Sequence, residues 1–177
     1  MMLVRAKKRI DKLLELALII LMGANVLNVL WQVFTRFILR DPSSFTEELA
    51  RYLLIWVGLL GASYAAGKKM HLAIDVVLQA LKKKTKIWAE IIIQISLFLF
   101  SFFVMVVGGL RLVIITLTLN QISAALRIKL GFVYLALPLS GLLIMFYAVL
   151  FIIERYQARS GVSVEFETVA AESQEGI

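Results

Sequence analysis

The sequence has 177 residues, 61% hydrophobic and 18% charged, with a formal net charge of +7 and a mean hydropathy of +0.90. A soluble domain is nearer half apolar and a quarter charged, so an ordinary soluble globular class is excluded. No cysteine is present, which excludes disulfides, thiol catalysis and cysteine-ligated metals. The basic residues lie beside apolar blocks, where they set membrane orientation, and no nucleic-acid partner is expected.

The apolar excess falls in four blocks: Leu16 to Thr35, Tyr52 to Gly67, Ile91 to Leu110 and Leu130 to Ile153. About 20 apolar residues cross the hydrocarbon core. The second block reaches that length if its helix starts near Phe45. The pattern predicts an all-α integral membrane protein with four transmembrane helices at about 13–39, 45–67, 88–119 and 130–154, forming one membrane domain over 1–155.

The first helix follows a basic lead, "RAKKRIDK". No small-residue cleavage site comes after it and the apolar run is long, so a cleaved signal peptide is not expected. Within this helix Asn25, Asn28, Gln32 and Arg36 are spaced by three, four and four residues, which places them on one face. Polar side chains are costly toward lipid, so that face should meet protein or water. A solute pathway and interhelical hydrogen bonding both fit. Three uncharged amides without an acid make a poor ion path, and hydrogen bonding is the preferred account.

The stretch "RDPSSFTEELARYLLIW" interrupts the apolar pattern with Arg40, Asp41, Glu47, Glu48 and Arg51. Pro42, Ser43 and Ser44 mark a turn, Thr46 is the expected cap, and the two carboxylates suit the first turn of a helix. Glu47 and Glu48 are four and three residues from Arg51, so either can pair with it. Capping leaves a surplus of charge at the membrane surface, which a contact with another chain would use. The helix that follows carries the small-residue pairs Gly58 with Ala62 and Gly61 with Ala65, a spacing that lets another backbone approach closely.

Between the second and third blocks, apolar residues at 72, 73, 76, 77, 80 and 81 face away from His71, Asp75, Gln79 and Lys82. This predicts a short amphipathic helix over about 69–83 lying in the membrane interface against lipid. His71 and Asp75, four apart, fit either a pH-sensitive contact or the polar face of that helix, and the polar face is preferred. The third block runs on past Arg111 to about Leu119, longer than one crossing needs. Pro138 should kink the fourth helix. Residues 156–177 form a polar, acidic tail, expected to be mobile.

Orientation follows from the lysines and arginines. Arg5, Lys7, Lys8, Arg9 and Lys12, and then Lys68, Lys69, Lys82, Lys83, Lys84 and Lys86, lie on one side; Arg40, Arg51, Arg127 and Lys129 lie on the other, with three carboxylates among them. Both termini and the amphipathic helix are therefore expected in the cytoplasm. Enzyme readings find no support. One histidine cannot supply a bis-histidine site, no cluster has metal-ligand spacing, and no nucleophile elbow, P-loop or dinucleotide fingerprint occurs. No catalytic residue, metal or cofactor is expected.

The segment "WQVFTRFILRDPSSFTEELARYLLIWVGLLGASYAAGKKMHLAIDVV" resembles the small membrane subunit of tripartite ATP-independent periplasmic (TRAP) transporters, the DctQ-like family. The resemblance rests on Arg36, the pair Glu47 and Glu48, Arg51, Trp56, the glycine–alanine helix, and His71 with Asp75, and continues in "ALRIKLGFVYLALPLSGLL". Phe45 stands where the family often has tryptophan, and Lys129 where it often has proline. The resemblance implies a non-catalytic scaffold subunit in a bacterial inner membrane. Its partners would be a large elevator-type membrane subunit carrying the sodium and substrate sites, and, transiently, a periplasmic substrate-binding protein. The solutes would be organic acids of the C4-dicarboxylate or sialic acid class. Arg36, Glu47, Glu48, Arg51, Gly58, Gly61, Ala62 and Ala65 are then the expected partner contacts. The competing reading is a self-sufficient homo-oligomeric channel or exporter.

Overall fold

The structure, a computed structural model, describes residues 2–41, 43–68 and 83–159. The amphipathic helix expected over about 69–83, with His71 and Asp75, lies outside the described residues except for Lys83; so do residues 160–177 of the acidic tail. The described chain is all-α, without a strand, and four of its helical stretches are long and apolar enough to cross a membrane: Arg5–Leu39, Ser44–Gly67, Trp88–Thr118 and Leu130–Ile153. Lipid offers no hydrogen-bond partner to the backbone, so an apolar run of this length folds as a helix.

The first span is helix α1 (Met2–Phe34) closed by a π-helical turn, Thr35–Leu39. The Thr35 hydroxyl donates to the Gln32 carbonyl at 3.0 Å, and the backbone N–H groups of Arg40 and Asp41 both reach the Thr35 carbonyl. Arg40 takes a left-handed conformation (φ 55°), the position usually given to glycine at a helix end.

The second span is α2 (Ser44–Gly67). Its cap position is Ser43, in extended conformation, and not Thr46. Thr46 sits inside the first turn, where its hydroxyl donates back to the Ser43 carbonyl at 2.8 Å and lies 2.7 Å from the Ser43 hydroxyl.

The third span comprises α3 (Lys83–Phe100), a π-helical segment Ser101–Gly108, and α4 (Gly109–Thr118). Its membrane-crossing stretch Trp88–Thr118, 31 residues long, extends about 46 Å at 1.5 Å per residue, against a hydrocarbon core of about 30 Å. The fourth span is broken near its start into α5 (Leu130–Tyr134) and α6 (Ala136–Arg159). Pro138 is the physical reason. It has no N–H to give the Tyr134 carbonyl, and the break at Leu135 moves it into the first turn of a new helix, where no partner is needed.

The helices pack as a row in the order α1, α2, α6, α3. The fourth span is the inner member: 44% of its apolar window is buried within the chain, against 6% for the first span. Two apolar clusters meet on it. One joins Leu14 of α1, Leu60 of α2 and Tyr147 and Phe151 of α6; the other joins Ala66 of α2, Met105 of the π segment and Ile144 of α6. Glycine makes the close approach possible. A Cβ on Gly67 would stand 2.6 Å from the Tyr147 ring, so the ring takes the place of the missing side chain.

Candidate functional site

The polar residues of the opening turn of α2 lie together at one end of the bundle, but they serve different ends. Glu48, one turn into α2, turns its carboxylate away from Arg51 and onto the connection between α4 and α5. Oε2 accepts the backbone N–H groups of Ala125 (2.8 Å) and Leu126 (2.9 Å), and Oε1 accepts those of Ala124 (3.2 Å) and the Tyr52 hydroxyl (2.7 Å). A carboxylate receiving several donors makes hydrogen bonds about twice as strong as neutral ones. The connection from 119 to 129 is also tied to itself. Gln121 N donates to the Thr116 carbonyl, Ser123 N to Ile128, and Leu130 N to Gln121, while Ile122 and Lys129 form an isolated antiparallel bridge.

Glu47 points the other way and pairs with Arg51 at 3.6 Å, with both side chains about two-thirds exposed. An exposed pair of this kind contributes about 0.5 kcal/mol or less, so both groups remain available to another molecule. Arg36 is exposed on the π turn that ends the first span. The four expected charged contacts therefore share one end of the molecule, with Glu48 engaged inside the chain and Arg36, Glu47 and Arg51 on its surface.

The small residues of α2 divide in the same way. Gly58 and Ala62 are exposed, and nothing lies within 4 Å of a Cβ built on Gly58. Gly61 faces Leu18 of α1 at 3.9 Å, and Ala65 is half-buried. One pair thus opens outward while the other belongs to the α1–α2 contact.

Of the polar stripe on α1, Asn28 donates from Nδ2 to the Thr46 carbonyl at 2.7 Å, tying the first span to the start of the second. Gln32 is half-buried and its backbone carbonyl receives Thr35. Asn25 keeps a buried Oδ1 without a hydrogen-bond partner. A shallow groove on this helix is bounded by Leu18, Ile19, Met22, Gly23, Val26 and Leu27, all without polar side chains.

Three arrangements had no distinct signal in the sequence. Ser63 and Ser140, both fully buried, stand 2.8 Å apart between α2 and α6, where either hydroxyl can donate to the other; both also reach the Leu59 carbonyl, Ser140 at 2.8 Å and Ser63 at 3.0 Å. At the far end of the bundle the Tyr147 hydroxyl donates to Asp11, and Lys7 stands 5.2 Å over the Phe151 ring. The third is the set of loop amides held by Glu48. A lone serine in an apolar block is the one trace that sequence reading offers for the first of these. Among the described residues no three His, Asp or Glu side chains converge as a metal site would require.

A small multi-pass helical membrane protein, with Asn28, Ser63, Ser140 and Thr116 bonded within its own chain, is the class these features define. Residues 25–158 match the family described as "Tripartite ATP-independent periplasmic transporters, DctQ component". The chain belongs to that family, whose members are TRAP small permease subunits. Similar proteins carry matching names. The sialic acid TRAP transporter small permease protein SiaQ of Vibrio cholerae is 31% identical over 90 residues, 51% of this chain and 52% of that protein. The sialic acid TRAP transporter permease protein SiaT of Haemophilus influenzae is 30% identical over 123 residues, 65% of this chain and 18% of that protein. A putative TRAP transporter small permease protein of Haemophilus influenzae is 26% identical over 153 residues, 86% of this chain and 91% of that protein. The matched region thus spans about half the length of SiaQ and under a fifth of SiaT.

Proposed function

We propose that this chain is the non-catalytic scaffold subunit of a sodium-coupled TRAP secondary transporter for organic acids, in a bacterial inner membrane with both termini in the cytoplasm. It braces a large elevator-type membrane subunit, which carries the substrate and ion sites and works with a periplasmic substrate-binding protein. The carrying observation is the destination of the polar groups within the spans. Asn28, Ser63, Ser140 and Thr116 all bond to backbone or side chains of this same chain, as the parts of a frame do. The relation to SiaT supports a large membrane partner, since there the matched segment is a minor part of a much longer permease. The names of SiaQ and SiaT favour a sialic acid over a C4-dicarboxylate as solute. The orientation rests on the lysine and arginine distribution.

Reconstitution tests this directly. Liposomes holding this chain together with the large subunit should take up the organic acid when sodium and the binding protein are supplied. Liposomes holding this chain alone should not. Uptake by the lone chain would replace the scaffold with a homo-oligomeric carrier or channel.

The open face of α2 gives a residue-level counterpart. Gly58→Leu should leave insertion and stability of the chain unchanged, because among the described residues nothing beyond the backbone of its own helix lies within 4 Å of the new Cβ. Co-purification with the large subunit should fall at least about tenfold, because a bulky side chain holds the partner backbone away. Normal co-purification would assign the Gly58–Ala62 face to lipid.

A further inference from the structure

The basic lead of α1 is divided between two faces. Lys7 turns inward, 5.2 Å over the Phe151 ring, and the Asp11 carboxylate turns inward to accept the Tyr147 hydroxyl. Arg5, Lys8, Arg9 and Lys12 are exposed and recur at the three-to-four spacing that aligns one helix face. Among the described residues none of these four has a carboxylate within 4.0 Å. Glu15, exposed one turn deeper, flanks the same face, so four cations stand there against one carboxylate. The face continues through Leu16 and Ile19 to Gly23 and Val26 and becomes the apolar groove that Leu18 to Leu27 bound. Among the described residues nothing beyond the backbone of its own helix lies within 4 Å of a Cβ built on Gly23, so the groove is open at that point. From Leu13, the first apolar residue past Lys12, the centre of a hydrocarbon core of about 30 Å lies about ten residues deeper, at Gly23.

We propose that this face of α1 binds one anionic phospholipid, with its phosphate among Arg5, Lys8, Arg9 and Lys12 and an acyl chain in the groove past Gly23. The site goes beyond the transporter reading and does not depend on it. Orientation needs only a count of lysine and arginine on one side of the membrane, whatever face of the helix they occupy. Here they line up with a groove. Clusters of basic residues beside a membrane span attract anionic headgroups, and phosphate oxygens accept charge-assisted hydrogen bonds from guanidinium and ammonium groups. A partner helix would fill the groove and leave the cations above it unused. An acidic protein segment would use the cations and not a groove at hydrocarbon depth; Glu165, Glu167, Glu172 and Glu175 of the tail lie outside the described residues. Cations and groove on one face therefore select a lipid, and a groove that reaches the bilayer centre suits the acyl chain of one leaflet.

The test titrates the full chain in nonionic micelles with long-chain phosphatidylglycerol or phosphatidylcholine, and native mass spectrometry counts the lipids retained. Phosphatidylglycerol should be held as a single adduct, half-saturating at a concentration at least about tenfold below that of phosphatidylcholine. Lys8→Gln should raise the phosphatidylglycerol value about fivefold, and Arg9→Gln combined with Lys12→Gln at least about tenfold, with phosphatidylcholine unchanged. Gly23→Leu fills the groove and should weaken both lipids at least about threefold while keeping their ratio. Lys7→Gln, on the inward face, should change either value by less than about twofold. Millimolar inorganic phosphate should not displace the long-chain lipid, which separates a lipid headgroup from free phosphate.

Equal retention of the two lipids by the wild-type chain overturns the proposal. A loss in Lys7→Gln as large as that in Lys8→Gln replaces the site with diffuse attraction to the whole basic lead. Phosphatidylglycerol binding untouched by Gly23→Leu removes the acyl groove and leaves a site for any acidic group, and displacement by inorganic phosphate alone has the same meaning. If the Arg9→Gln, Lys12→Gln pair does not insert, Lys8→Gln carries the same measurement. The chain co-purified with the large membrane subunit should retain the same single phosphatidylglycerol. Its absence there, together with weaker co-purification of Gly23→Leu, would assign the groove to a partner helix and sink the lipid site.

Discussion

Gly141→Leu is expected to abolish the packing of the third span on the fourth and to remove most folded protein from the membrane fraction. A Cβ at this position would lie 2.7 Å from the Met105 Cβ, 3.0 Å from Val106 Cγ2 and 3.2 Å from the Ser101 carbonyl oxygen. A Cβ and a carbonyl belong to the frame of the facing helix and cannot swing aside as the tip of a long side chain can. Moving α6 away instead would draw Ser140, the preceding residue, off Ser63 and the Leu59 carbonyl. Alanine alone should cost about 1–3 kcal/mol by overpacking, and leucine more. Reversible unfolding of the purified chain in mixed micelles measures this, with Gly58→Leu as the control of equal bulk on an open face. Wild-type stability for Gly141→Leu would show that the third and fourth spans are not in close contact.

Tyr147→Ala carries the second large effect, about 3–5 kcal/mol of lost stability on the scale of buried aromatic truncations. Tyr147 is 1% exposed. Its ring fills the space above Gly67 and packs with Leu14, Leu60 and Phe151, so three of the four spans meet on it. Truncation opens a cavity there and also leaves Asp11 without the hydroxyl that it accepts. Tyr147→Phe keeps the ring and loses only that bond, so its cost should stay near 1 kcal/mol or below, the range of interhelical hydrogen bonds in membranes. A double-mutant cycle with Asp11→Asn isolates the hydroxyl–carboxylate coupling. Equal losses for alanine and phenylalanine would mean that the ring contributes no packing.

The fold class was legible because lipid removes most choices. A run such as Leu130 to Ile153 has to satisfy its backbone internally, so its composition alone implies a helix. Pro138 also announced itself, since its missing N–H forces a break wherever a helix is required, and the break falls at Leu135. The cap of α2 was less legible. Ser43 and Thr46 have interchangeable chemistry, and the backbone conformation at Ser43 decides between them. Gly58 and Gly61 look equivalent as sequence, yet one meets open space and the other Leu18, because the facing helix covers only one side of α2.

Hydrophobic period, breaker residues and the imbalance of lysine and arginine are local properties, and from them come the four spans, their approximate limits and the expected orientation, while the family resemblance rests on the order of Arg36, Glu47, Glu48, Arg51, Trp56, His71 and Asp75 along the chain. The use of Glu48 is not local. Its acceptors are filled by amides 76 to 78 residues away, and a backbone N–H looks the same at every position in a sequence. The same holds for Gly67 and Gly141, whose need to lack a Cβ is set by the Tyr147 ring and by Met105 on other helices. Which polar group is internal and which is offered to a partner therefore depends on three-dimensional packing, because hydrogen bonds and close contacts are settled by distance in space.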